Sequence, residues 1–227
     1  MVASIDQPRQ TVTDLIFDRL YRQVIENELP PGTKLSEAEV ARALGVSRQP
    51  VRDAFYRLSQ QGFLLVRPQR ATLVAPISVE AVMQALFIRT ALEVATVTAA
   101  AEQGADEDFD RLDALLAEQA RAVQADDGMG FHRLDDELHR QICALAGHEY
   151  AWTLIREHKA HMDRIRLLSL SFTAHDALAE HRAIVGAIKA RDADAAVSAM
   201  RHHLSRIAGS IARIHQTNPG FFDQEQI

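Results

Sequence analysis

The chain has 227 residues, of which 47% are hydrophobic, with a net charge of −6 and one cysteine, Cys143. That length and apolar content suit one large or two small packed domains and exclude a disordered chain. A lone cysteine excludes an internal disulfide, and neither an N-terminal apolar leader nor a membrane-spanning run stands out, so a reducing cytoplasm with no membrane partner is expected. The net charge hides an asymmetry. Residues 1–77 hold 10 Lys/Arg against 8 Asp/Glu, net +2, whereas residues 78–227 hold 15 against 23, net −8, and all ten histidines fall between His132 and His215. A mildly basic N-terminal part and an acidic remainder fit one module that touches phosphate and another that does not.

Residues 1–10 lack periodicity and are expected to be a flexible arm. From Thr11 to Leu29 the stripe Val12, Leu15, Ile16, Leu20, Val24 and Ile25 predicts a helix that ends before Pro30-Pro31-Gly32. Ser36-Glu37-Ala38-Glu39 is a capping-box start for a second helix, and Gly45 suits its left-handed stop. Ser47 offers the next N-cap, and Pro50 falls in a first turn where a missing N–H costs nothing. Along this third helix Val51, Ala54, Phe55 and Leu58 face inward, while Arg48, Arg52 and Tyr56 line the opposite side. Phe63–Val66 and Ala71–Ala75 then flank the polar turn Arg67-Pro68-Gln69-Arg70, which is a hairpin signal.

Three helices and a hairpin over residues 11–75 make a winged helix-turn-helix, whose second motif helix presents its N-terminal residues to base edges and phosphates. An ordinary helical hairpin with solvated arginines shares the two-helix pattern but not the wing. The candidate contacts with double-stranded DNA are Ser36, Ser47, Arg48, Gln49 and Arg52, with Arg67 and Arg70 at the wing tip. The segment PPGTKLSEAEVARALGVSRQPVRDAFYRL closely resembles the DNA-binding domain of the GntR family of bacterial transcription regulators. Ala38 and Ala71 depart from that family's usual arginine and glycine; the resemblance implies that the first shifts more of the discrimination onto Arg48, Gln49 and Arg52, and that the second alters how closely the wing tip approaches the minor groove.

Residues 76–79 read as a linker, with Ser78 capping the next helix. Over residues 80–215 the period is helical, with breaks near Gly104-Ala105-Asp106, Asp127-Gly128, Gly147-His148, Thr173-Ala174 and Asp192-Ala193, so a six-helix antiparallel all-α bundle is predicted, followed by a tail over 216–227. The fold class is therefore mainly α. Asp135 and His139 stack four residues apart beside an apolar stripe, and His181 and His203 each lie within an inward stripe of a later helix. His202, rotated about 100° from His203, faces solvent. Three separately satisfied core histidines fit this pattern, and so does one divalent cation shared by all four groups, with Zn, Ni, Mn or Fe compatible with such ligands.

LDDELHRQICALAGH, EHRAIVGAIKARDADAA and AMRHHL resemble the FCD ligand-binding domain of the FadR subfamily, and six helices would make it VanR-like. That resemblance implies a divalent metal, most simply Zn, on Asp135, His139, His181 and His203, a small organic acid as effector, and a homodimer. Arg89 sits on an inward face with Glu93, so it either pairs with Glu93 or meets the effector carboxylate; Arg164 and Arg166 are weaker effector candidates, since a charge on a helix is usually solvated. Cys143, among Ile142, Ala144 and Leu145, reads as a small buried apolar residue. Two alternatives remain: a metal sensor without an organic effector, and a metal hydrolase. The second lacks a general base, since Glu137 lies on a different helix face from Asp135 and His139, and no nucleophile-elbow, HExxH or P-loop signature is present. No enzyme is expected.

Overall fold

In the computed structural model, described over residues 10–66, 71–106 and 109–223, the chain divides between Pro76 and Ile77 into two units. The division falls inside the expected linker, although Ile77 itself is fully buried in the second unit.

In the first unit, helix α1 (Val12–Ile25) opens with a complete capping box between Thr11 and Asp14. Strand β1 (Lys34–Leu35), helix α2 (Glu37–Leu44), helix α3 (Arg48–Gln60) and strands β2 (Leu64–Leu65) and β3 (Thr72–Val74) follow. Gly45 closes α2 at φ 67°, the left-handed turn that lets α3 start three residues later. Val51, Ala54, Phe55 and Leu58 are buried as their spacing requires, against Ile16, Leu20 and Val24 of α1. Fully burying a side chain such as Leu or Phe contributes about 1.5–3 kcal/mol, so this interface holds α1 and α3 together. Val12 and Leu15 are exposed, at 51% and 55%, so the inward stripe of α1 begins only at Ile16. The strands pair antiparallel in the order β1-β3-β2. The β2–β3 hairpin was legible in the sequence; β1 was not, because two residues carry no period. Residues 67–70, the expected wing tip, lie outside the described residues, as do residues 1–9 of the arm.

The second unit is helical: α4 (Val79–Gln103), α5 (Phe109–Gln124), α6 (Gly128–Leu145), α7 (Glu149–His158), α8 (Ala160–Lys189), α9 (Ala193–Ser205) and α10 (Ile207–Thr217). The fold is mainly α, as expected, but among the described residues there are seven helices, not six. The expected break at Thr173-Ala174 is absent. Thr173 Oγ1 donates to the Ser169 carbonyl at 3.0 Å, which accommodates a β-branched residue inside α8. Two breaks were missed, at Lys159 and Arg206. Each is one residue still near helical torsions (φ −76°, ψ −8° and φ −61°, ψ −21°), so neither needs the glycine or proline that would have marked it. Ser78, Asp127 and Asp192 cap α4, α6 and α9 by accepting from Ala81, Gly130 and Ala195 N–H groups.

The main core gathers Val97, Leu112, Leu138, Ile142, Ile184 and Met200 from five helices. Helix α4 is long and apolar enough to cross a membrane by composition, yet it packs on α6, α7, α8 and α9 as a bundle helix. The segment expected as a tail does not leave the bundle, at least as far as Asp223. Phe222 is 2% exposed, and the Ile77 N–H donates to the Phe221 carbonyl at 2.7 Å.

Candidate functional site

In the first unit, five of the expected contact residues lie on α3 or at the N-caps of α2 and α3. Arg48, Gln49 and Arg52 are exposed on α3. Ser47 is the N-cap residue of α3, but its hydroxyl makes no capping bond, which leaves it unused by the helix. The Ser36 hydroxyl instead accepts from the Glu39 N–H at 3.4 Å; this is half of the expected capping box. Gln49 Nε2 donates to Asp53 Oδ1 at 2.9 Å. Glu37 Oε2 lies 3.3 Å from Arg52 Nε and 3.7 Å from Arg48 Nη2. Arg67 and Arg70 fall outside the described residues.

In the second unit Asp135 and His139 of α6, His181 of α8 and His203 of α9 come together, with one donor atom from each within 4.8 Å of all the others. All four are buried or nearly so; His203 is the most exposed at 9%. Each histidine has a different neighbour at Nδ1. His181 Nδ1 is 2.8 Å from Gln119 Oε1, His203 Nδ1 is 2.9 Å from Glu180 Oε2, and His139 Nδ1 abuts Glu93 Oε2.

Gln119 and Glu180 fix two of the tautomers. Gln119 Nε2 donates to the Leu134 carbonyl at 3.1 Å, so its Oε1 must face His181 and can only accept. His181 therefore carries its proton on Nδ1 and presents the bare Nε2 to the centre. Glu180 orders His203 at Nδ1 in the same way, whereas His139 Nδ1 touches Glu93 Oε2 as a close contact without a hydrogen bond. Burial pushes the His181 pKa down, and burial with the adjacent His181 and His139 rings holds His203 well below the ordinary imidazole value, so both are neutral. Burial opposes ionisation of Asp135, but the Arg166 guanidinium on its Oδ2 holds it well below the usual carboxylate range. His181 Nε2 and Asp135 Oδ1 then face each other at 3.3 Å, two acceptors without a proton between them. Neither atom has a hydrogen-bond partner, nor does His139 Nε2. Buried acceptors aimed at one another are costly alone and are satisfied together by a cation. The donor set, three imidazole nitrogens and one carboxylate oxygen with an ordered outer layer, fits a divalent transition metal.

Beside this cluster is a cavity of about 60 Å³ whose lining includes Arg89, Asp135, Arg166, Thr173, Glu180 and His203. For Arg89 the structure shows the pair with Glu93. Its Nε pairs with Glu93 Oε1, while its Nη2 is buried with no hydrogen-bond partner among the described residues. Glu93 thus bridges Arg89 and His139, and these two neighbours hold its pKa at about 2 despite burial. Arg164 does not line the cavity. It is fully buried, with burial pulling its pKa down to about 10, whereas Arg166, about 200° further round α8, does line it. Sequence periodicity could not rank these two arginines, because α8 is buried on several sides.

His132, Asp136 and Asp163 form a second group of possible ligands that sequence reasoning missed. Its carboxylates already hold the Lys159 ammonium, at 2.9 Å from Asp136 and 2.5 Å from Asp163. Glu137 is engaged by Arg140 at 2.7 Å and by Gln141 at 2.8 Å, away from the cluster. His202 is exposed, as expected. Cys143 is buried, its thiol pushed up to about 12 by burial, and it donates to Thr96 Oγ1 at 3.8 Å; it behaves as a structural residue.

Residues 13–74 match the profile of bacterial regulatory proteins of the gntR family, and residues 84–206 match the FCD domain. The chain is 36% identical over 220 residues to the HTH-type transcriptional repressor RspR of Escherichia coli K12, covering 96% of each. It is 33% identical over 210 residues to an HTH-type transcriptional regulator in an unstable DNA locus of Streptomyces ambofaciens, covering 91% of this chain and 88% of that one. A probable D-xylose utilization operon transcriptional repressor of Paenarthrobacter nicotinovorans is 28% identical over 203 residues, covering 87% of each. Among solved structures, E. coli McbR/YncC superposes with a TM-score of 0.72 at 21% identity, covering 92% of this chain and 99% of that one. A putative GntR regulator from Rhodococcus sp. RHA1 gives 0.71 at 22%, covering 88% and 97%. These two structural likenesses bear on the fold.

Proposed function

The chain belongs to the gntR family of bacterial regulatory proteins and is a DNA-binding transcription regulator, not an enzyme; from that premise we propose that a small organic acid, bound at or near a divalent metal in the helical unit, sets its operator affinity. Asp135 Oδ1 and the Nε2 atoms of His139, His181 and His203 hold the metal. Zn is the simplest choice, and Ni, Mn and Fe suit the same donors. The observation that carries this reading is the fixing of His181 by Gln119: an imidazole locked with its lone pair toward a buried carboxylate at 3.3 Å is arranged for a cation.

A metal held there would supply positive charge next to the cavity. Arg89, through its unpartnered Nη2, and Arg166 add guanidinium charge on the same cavity, which suits a small carboxylate. Arg166 takes the role expected for Arg164. Operator contacts come from Ser36, Ser47, Arg48, Gln49 and Arg52, with Arg67 and Arg70 added from the wing. The protein works in the cytoplasm as a homodimer; in support, α4 exposes an apolar stripe that includes Met83, at 42%, and Phe87, at 76%. The acid switches DNA binding to the extent that it binds one arrangement of the two units more tightly than the other.

Fluorescence anisotropy on a duplex from the region upstream of the chain's own coding sequence tests the reading. Arg48→Ala/Arg52→Ala should lose most of the affinity, and unchanged affinity refutes the recognition-helix assignment. For the helical unit, Zn alone is titrated first, followed by a panel of two- to six-carbon carboxylates on the Zn-loaded protein. A shift with acid only makes the metal a cofactor, and a shift with Zn only makes the protein a metal sensor. His181→Ala should abolish whichever response is seen.

A further inference from the structure

A carboxylate contacts two of the arginines assigned to DNA. Glu37 is the first residue of α2, and its Oε2 contacts Arg52 Nε at 3.3 Å and lies 3.7 Å from Arg48 Nη2 on α3. The arginine side chains are 63% and 58% exposed and the Glu37 side chain is 26% exposed, so the acid sits beneath two open guanidiniums. Exposed pairs of this kind add little to folding stability, so the stability of the domain does not account for this placement. Its consequence is for what the arginines do. The bond to Arg52 engages Nε and leaves both terminal nitrogens of the fork for a base edge or a phosphate.

We propose that Glu37 is a specificity-determining residue: it restrains Arg48 and Arg52 in the orientation that reads base edges and repels phosphates when the protein sits on DNA of the wrong sequence. On the right sequence the pre-oriented guanidiniums meet base acceptors and the acid's repulsion is offset. On random DNA only phosphates are available, and the carboxylate cancels part of the attraction of the two cations. The inference rests on Arg48 and Arg52 being DNA contacts, which the double alanine variant tests separately.

Full-length protein carrying Glu37→Gln is measured by anisotropy on the upstream duplex and on a random duplex of equal length, across a range of salt concentrations. Removing one opposing charge adds about one phosphate's worth of counterion release, so the salt slope on random DNA should steepen by about 0.9 and affinity at 0.1 M salt should rise about 5–10-fold. Affinity for the upstream duplex should not rise with it, so the ratio of specific to random affinity falls by a similar factor. Glu39→Gln is the control: Glu39 lies in the same first turn, carries the same charge, is exposed, and is paired with neither arginine. An unchanged ratio in Glu37→Gln overturns the proposal. So does an equal fall in Glu39→Gln, because bulk charge would then explain both. The salt slope does not depend on the active fraction, so even a partly unfolded preparation distinguishes these outcomes.

Discussion

Replacing Gln119 with Leu removes the acceptor from His181 without opening a large cavity. Gln119 is completely buried, and its amide joins His181 Nδ1, at 2.8 Å, to the Leu134 carbonyl, at 3.1 Å. In the metal-free protein the variant leaves a buried N–H without a partner, a cost of about 1–3 kcal/mol. The second effect falls on the metal. Losing an outer-layer partner of a ligating histidine typically weakens binding about 10–100-fold. At a metal concentration of about 100 times the wild-type Kd, metal stabilises the wild type by about 2.7 kcal/mol; tenfold weaker binding leaves about 1.4, and hundredfold weaker binding about 0.4. Urea unfolding with Zn and with a chelator, on wild type and Gln119→Leu, measures both quantities. If the metal-linked increment is the same in the two proteins, Gln119 does not orient a ligand and the tautomer reasoning fails.

Three other outcomes are expected. Asp14 accepts from the Thr11 hydroxyl and N–H and pairs with Arg57 at 2.8 Å, and these partners hold its carboxyl at about 2, below its ordinary 3.8. Its contribution is therefore present above pH 3.8 and is lost as pH falls toward 2, so Asp14→Asn should flatten that part of the acid unfolding curve; an unaltered curve refutes the link between α1 and α3. Phe87→Glu should shift the protein toward monomer in light scattering, and an unaffected dimer means that the α4 stripe is not the interface. Cys143, buried with its thiol raised to about 12, should resist alkylation at pH 8 until the protein unfolds; rapid modification of the native protein contradicts its placement.

The first unit was readable because its signals are local. Caps, the Gly45 stop and a period of four or fewer residues place Val51, Ala54, Phe55 and Leu58 inward and Arg48 and Arg52 outward, whatever else the chain does. In the second unit helix identity was equally legible, but helix ends were not. Thr173 has the look of a break and is bridged by its own hydroxyl to Ser169, while Lys159 and Arg206 have helical character and are single-residue kinks. The kink residue Lys159 is held by Asp136 and Asp163, contacts that no helical period announces.

What the sequence determined by itself was the winged helix-turn-helix, the helical remainder, and the fact that Asp135, His139, His181 and His203 lie on inward faces. Those are consequences of backbone geometry and of the side-chain period along one segment. Only the tertiary structure decided that these four donors converge, that Gln119 and Glu180 engage Nδ1 of His181 and His203, and that Arg166 lines the cavity while Arg164 does not. The reason is distance along the chain. Gln119 and His181 are 62 residues apart, and a hydrogen bond between them exists only once α5, α6 and α8 have packed.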